Sequence, residues 1–148
     1  MEKQEIDFKD VPSWWGICQN SDCPMTKECL RHQAFLNIPK DIKKWPCILP
    51  NAFKYGNCEF FYQAKKVKMA KGFKSLIDSL NSRDLRHDLR TQLTDYLGSK
   101  GAYYRHKDGE RMLNPQQQKW IQDFLLSHGY NKEVVFDEYI NTYDFHII

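Results

Sequence analysis

Five cysteines carry the clearest chemical signal in this chain. They are Cys18, Cys23, Cys29, Cys47 and Cys58, spaced C-x4-C-x5-C-x17-C-x10-C, and all fall within the first 58 of 148 residues. Several soft thiolates near one end of an otherwise cysteine-free chain fit a metal site, and zinc takes four such ligands in a closed tetrahedron when its role is structural. Cys18, Cys23 and Cys29 are near enough in sequence to coordinate together, with Pro24 stiffening the turn between them. The expected fourth ligand is Cys58, because Gly56-Asn57 before it suits a tight ligand-presenting turn. His32, three residues after Cys29 and within reach from a helix, is the next choice, and Cys47 remains a further one. Cys47 follows Pro46 in the apolar run Trp-Pro-Cys-Ile-Leu, where a buried small hydrophobe is the plainer reading. The spacings differ from C-x2-C knuckles, so an iron–sulfur cluster or unligated thiols are the alternatives to zinc, and the absence of C-x-x-C argues against a redox pair.

Catalytic constellations are missing. The histidines are scattered, and the chain has no H-E-x-x-H, G-x-S-x-G or Gly-rich phosphate loop, which favours a non-enzymatic protein. Basic residues are more informative. Residues 40–74 carry nine lysines against Asp41 and Glu59, whereas the segments on either side are net acidic. Such a patch attracts phosphates, although lysine-rich surface also serves solubility alone. The expected polyanion contacts are Lys65, Lys66, Lys68 and Lys71, joined by Arg105 and Arg111 from a segment rich in tyrosine and arginine. Arg83, Arg86 and Arg90 flank His87. They read as a solvated face pairing with Asp84 and Asp88 in preference to a phosphate-contacting one.

The elements that must position these groups follow from periodicity and turn chemistry. Pro12, Pro24, Pro39, Pro46 and Pro50 keep helices short in the N-terminal part. A helix is expected within 25–36, and strands at 45–49 and 59–63. Phe73, Leu76, Ile77 and Leu80 mark a first C-terminal helix; Leu85, Leu89, Leu93, Tyr96 and Leu97 mark a second, capped by Ser82 and stopped by Gly98. Asp108-Gly109 between alternating residues predicts a β-hairpin over 102–113. Asn114, Pro115 and Gln117 specify the start of a third helix whose buried face is Trp120, Ile121, Phe124 and Leu125, with Gly129 ending it. Phe136, Tyr139, Ile140 and Tyr143 repeat a helical spacing, with Asp137 as its cap. Two helices and a hairpin have the layout of a winged helix, but one helix is lacking and Asp84, Asp88 and Asp95 would repel phosphate.

The expected fold class is therefore α+β. A small cysteine-rich, zinc-bound module with short strands occupies residues 1–66, packed on a mainly helical part over 67–148 that carries the hairpin. The start of the chain lacks a secretory pattern, and no run approaches the roughly 20 apolar residues of a membrane span, so a cytoplasmic location with reduced cysteines is expected.

Cys18, Cys23-Pro24 and Cys29-Leu30-Arg31, then Tyr104-Arg105, Gly109-Glu110-Arg111, Leu113-x-Pro115-x-Gln117-Gln118 and Phe136-Asp137-x-Tyr139-x-x-x-Tyr143, resemble a family of small bacterial proteins of unknown function. The resemblance covers nearly the whole chain. It implies an intact member of that family and brings no activity with it. From the residues, the leading expectation is a non-enzymatic nucleic-acid-binding or regulatory protein with a structural zinc site. The alternative is a protein–protein adaptor using exposed Trp14, Trp15 and tyrosines.

Overall fold

The computed structural model describes residues 4–145. Contacts divide the chain into two compact units. One comprises the chain up to Lys66 together with the segment from Tyr143 onward; the other is Val67–Thr142. The architecture is α+β, with five α-helices and three two-stranded sheets among the described residues.

The first unit is built from short elements, as its prolines require. A 3-10 turn at Phe8–Asp10 leads to strand β1 (Ile17–Cys18) and helix α1 (Leu30–Leu36). Strand β2 (Cys47–Ile48) pairs parallel with β1, and β3 (Phe53–Lys54) pairs antiparallel with β4 (Asn57–Cys58). The β3–β4 turn has positive φ at both Tyr55 and Gly56, the backbone twist that a two-residue hairpin demands. The strands expected at 45–49 and 59–63 are thus reduced to β2 and displaced to β3–β4. Trp15, Ile17, Leu30 and Ala34 form the core with Phe8, Tyr143 and Phe145. Trp15 is 2% exposed, so the expectation that it offers a contact surface is corrected, whereas Trp14 is exposed. The Trp15 ring meets Tyr62 and Phe145 edge-on, a favoured aromatic geometry.

In the second unit, strand β5 (Val67–Lys71) pairs antiparallel with β6 (Glu138–Thr142) over five register positions. On that strand Ala70 also exchanges two backbone hydrogen bonds with Leu113. Helices α2 (Lys74–Ser79), α3 (Arg83–Leu97), α4 (Lys100–Lys107) and α5 (Pro115–Ser127) supply the rest. The helix ends follow local chemistry. Ser82 accepts from the Leu85 amide, Gly98 adopts φ 106° to stop α3, and Asn114 with Gln117 forms a reciprocal capping box on α5. Phe73, Leu80, Leu89, Leu93, Ile121 and Leu125 are fully buried.

Two expected elements are corrected. The chain over 102–113 forms no hairpin: 100–107 is α4, capped by Ser99, whose hydroxyl accepts from the Ala102 amide at 3.0 Å. Helical geometry buries Ala102, Tyr103 and His106 on one side, and Gly109, at φ 85°, follows Asp108 as the exit from the helix. Asp-Gly ends a helix as readily as it turns a hairpin. The winged-helix layout falls with the hairpin. Nor is 136–143 a helix. Tyr139, Ile140 and Thr142 lie in β6, where β-branched and aromatic residues complete the edge of β5. Asp137 does cap a helix, but it caps α2: its two carboxylate oxygens accept the Lys74 and Ser75 amides at 2.9 and 3.0 Å.

Candidate functional site

The first unit gathers the thiols. Cys18 ends β1, Cys23 lies in the following turn, Cys29 is the N-cap of α1, His32 is on its first turn, and Cys58 ends β4. All five border one small cavity of about 30 Å3, the space of a single water or ion. Arg31 borders it too. Its Nε donates to the Phe60 carbonyl at 2.7 Å, its Nη1 to the Gly16 carbonyl at 2.7 Å, and the guanidinium stacks 4.6 Å from the Trp15 ring. Burial pulls the Arg31 pKa below its usual value, and the surrounding Cys29, Cys58 and Cys18 act in the opposite direction. Burial pushes the Cys18 thiol up; its hydrogen bond with the Asn20 backbone opposes this, and Cys29, Cys47 and Cys23 reinforce it.

His32 is the decisive side chain here. It is 1% exposed, and its Nδ1 lies 3.0 Å from the Cys18 carbonyl oxygen. A carbonyl only accepts, so Nδ1 is the donor, and in the neutral ring Nε2 is then the nitrogen with the lone pair. That Nε2 is buried with no hydrogen-bond partner. The Cys23 Sγ accepts the Met25 amide at 3.4 Å. All five cysteines are free thiols. Among the described residues, no three His, Cys, Asp or Glu side chains stand close enough to hold one ion as they are placed. Cys47 is exposed and lines a separate shallow cavity beside β3, with its Sγ 3.5 Å from the Ile48 carbonyl. The expectation that it is a buried small hydrophobe is corrected by that exposure.

The second unit carries a different chemistry. Arg83, Arg86, His87 and Arg90 lie at i, i+3, i+4 and i+7 along α3, one helical stripe. Tyr103, Tyr104 and Lys107 of α4 face them across an open cleft of about 410 Å3 that no carboxylate among the described residues lines. Arg86 Nη1 donates to the Leu80 carbonyl at 2.9 Å, and Arg90 Nη2 approaches His87 Nδ1 at 3.5 Å. Among the described residues, none of these arginines is within ion-pairing distance of a carboxylate; the Lys74–Asp108 pair at 3.6 Å lies outside the lining. The expected pairing of this flank with Asp84 and Asp88 is therefore absent there. Burial, and secondarily Tyr104, pushes the Tyr103 phenol up to about 12, so it stays a hydrogen-bond donor at physiological pH.

The residues expected to meet a polyanion are divided between the two units. Lys65 and Lys66 belong to the first unit, and Lys66 Nζ lies 5.8 Å from the Tyr143 ring. Lys68 and Lys71 are on β5 of the second, with Lys68 Nζ 4.3 Å from the Tyr139 ring. Arg105 is exposed on α4, alongside Gly101, and Arg111 is exposed beyond it; neither lines the cleft. Sequence reasoning missed Arg31 as the cation of the thiol cavity and Lys107 as part of the cleft. The signal for Lys107 was its four-residue spacing from Tyr103 on a helix, obscured by the hairpin expectation. Arg31 had no spacing signal at all.

These two units, with their thiol cavity and basic cleft, define a small α+β protein in which no described helix is long and apolar enough to cross a membrane. The chain belongs to a family of unknown function, DUF6078, whose sequence profile matches residues 1–145. No curated protein and no solved structure matches it.

Proposed function

We propose that this protein is a non-enzymatic nucleic-acid binder whose contact surface is the cleft between α3 and α4. One observation carries the reading: three arginines, a histidine and a lysine converge on one cleft that no carboxylate among the described residues lines. Guanidinium groups bind phosphate oxygens through paired N–H donors, and unpaired arginines keep those donors available. Tyr104 is 38% exposed and offers a ring face for a base to stack on. The lysines of residues 40–74 then add a diffuse, salt-sensitive attraction. A zinc site serves this reading as a structural element only.

Binding of a short fluorescent single-stranded DNA, followed by anisotropy across a salt series, tests it. We expect binding at low salt that weakens steeply, with a slope that falls by about 0.7 for each phosphate-contacting residue removed. Arg83→Ala and Arg90→Ala are the informative substitutions, since Arg86 also holds the Leu80 carbonyl. No binding at low salt, or binding that ignores both substitutions, overturns the reading.

The protein–protein adaptor keeps one specific observation in its favour. Leu49, Tyr55 and Phe60 are exposed around the β3–β4 hairpin, and Trp14 is exposed as well. A partner protein protecting these positions while the arginine variants behave as wild type would favour it.

A further inference from the structure

We infer that the thiol cavity of the first unit binds one zinc ion through the Sγ atoms of Cys18, Cys23 and Cys29 and the Nε2 of His32. The starting point is the orphaned nitrogen. A buried polar atom without a partner is costly, and His32 Nε2 is such an atom, on a side chain that borders a space of ion size. Its lone pair needs either a proton donor or a metal. Its other nitrogen is already fixed by the Cys18 carbonyl, the outer-shell arrangement that orients a metal-binding imidazole and sets its tautomer.

The surrounding groups favour the metal. Four cysteines border the cavity with His32, and thiolate with imidazole is zinc's preferred donor set. Cys29 and His32 stand three residues apart at the start of α1, which puts both on one face of its first turn. Cys23 Sγ already accepts the Met25 amide, so the turn is built around this sulfur as an acceptor. Binding forms three Zn–S bonds and one Zn–N bond and releases three thiol protons to water, with no change of oxidation state. Zinc with three thiolates carries one net negative charge, which the Arg31 guanidinium at the cavity wall offsets. Recruiting Cys58 in place of His32 would leave two negative charges against one arginine, and Nε2 still unsatisfied. As they are placed, the side chains do not yet form an ion-holding group among the described residues. Ligation therefore includes rotation of cysteine side chains into the cavity they already line, a move between staggered rotamers.

This inference stands apart from nucleic-acid binding, because it concerns a separate unit and a separate ligand. The direct test is zinc K-edge absorption fine structure on the full chain purified with zinc, alongside elemental analysis. We expect one zinc per chain with three sulfurs at about 2.3 Å and one nitrogen at about 2.0 Å. A shell of four sulfurs overturns the His32 assignment, and a chain that takes up no zinc overturns the site. As a second measurement, Cys58→Ser costs zinc affinity no more than the roughly 10–100-fold of a supporting group. His32→Ala and Cys29→Ser lose more than this. The reverse order, with Cys58→Ser the damaging change, also overturns the ligand set.

Discussion

Asp137 shows how much a single side chain can organise in a protein of this size. It sits one residue before β6, yet its carboxylate closes the start of α2 more than 60 residues earlier, through hydrogen bonds from the Lys74 and Ser75 amides. Gly72 makes this approach feasible: it has φ 81°, and a Cβ there would lie 2.7 Å from Asp137 Oδ2. Burial pushes the Asp137 pKa up, but bonds from the Ser75 hydroxyl and amide, the Lys74 amide and the Lys74 charge outweigh it, and the carboxyl is held below its usual range. A depressed folded pKa contributes stability that is complete above the unfolded value, about 3.9, and is lost as pH falls through the folded one. Asp137→Ala is expected to cost about 1 kcal/mol at pH 7, as loss of a helix cap does, and progressively less as the solution is acidified below pH 4. Urea denaturation of both proteins at the two ends of that range checks this; an equal difference at both contradicts it. His32 is the counterpart on the functional side. Its position three residues after Cys29 made it visible as a candidate ligand, but the state of its two nitrogens depends on the Cys18 carbonyl, which only the folded chain brings near.

Helix α5 was readable from its residues alone because every signal in it is local. Asn114, Pro115 and Gln117 build the capping box, and Ile121 and Leu125 are wholly buried. Only the depth of its aromatic residues escaped. Trp120 and Phe124 are partly buried and form a stacked ladder with Tyr96 and His128, with ring centroids 4.7, 5.4 and 4.2 Å apart in turn. Accordingly Ile121→Ala is expected to cost about 2–5 kcal/mol, Trp120→Ala less than that, and Gln116→Ala within about 0.5 kcal/mol of zero. Chemical denaturation ranks the three; Trp120→Ala as the costliest would place its ring deeper than the ladder allows. Elements α4 and β6 were illegible for the opposite reason. Asp108-Gly109 fits a hairpin or a helix end, and the choice follows from burying Tyr103 against Phe73, with ring centroids 5.5 Å apart. The helical spacing of Phe136 to Tyr143 gave way to a strand because β5 offers an edge to pair with, a partner about 70 residues distant.

Each of the two units holds its own apolar core, and each carries one candidate site. The cysteines of the first unit were legible as a cluster, since their residue type and spacing are sequence properties. The basic cleft of the second was only half legible. The α3 stripe Arg83, Arg86, His87 and Arg90 stood out, but its meaning depends on Tyr103, Tyr104 and Lys107 facing it from α4. At this scale, zinc removal is expected to act on the first unit alone. A strong chelator should broaden or shift amide NMR signals up to Lys66 and leave those of α3–α5 in place; collapse of the α3–α5 signals would contradict the independence of the two cores. The claim on which the functional reading rests is that ligand enters the α3–α4 cleft, and titration of isotope-labelled protein with a short single-stranded DNA at low salt addresses it most directly. Shift changes are expected to concentrate on Arg83–Arg90 and Tyr103–Lys107 and to fade as salt is raised. Changes confined to Trp14 and residues 49–60, or none at all, would contradict it.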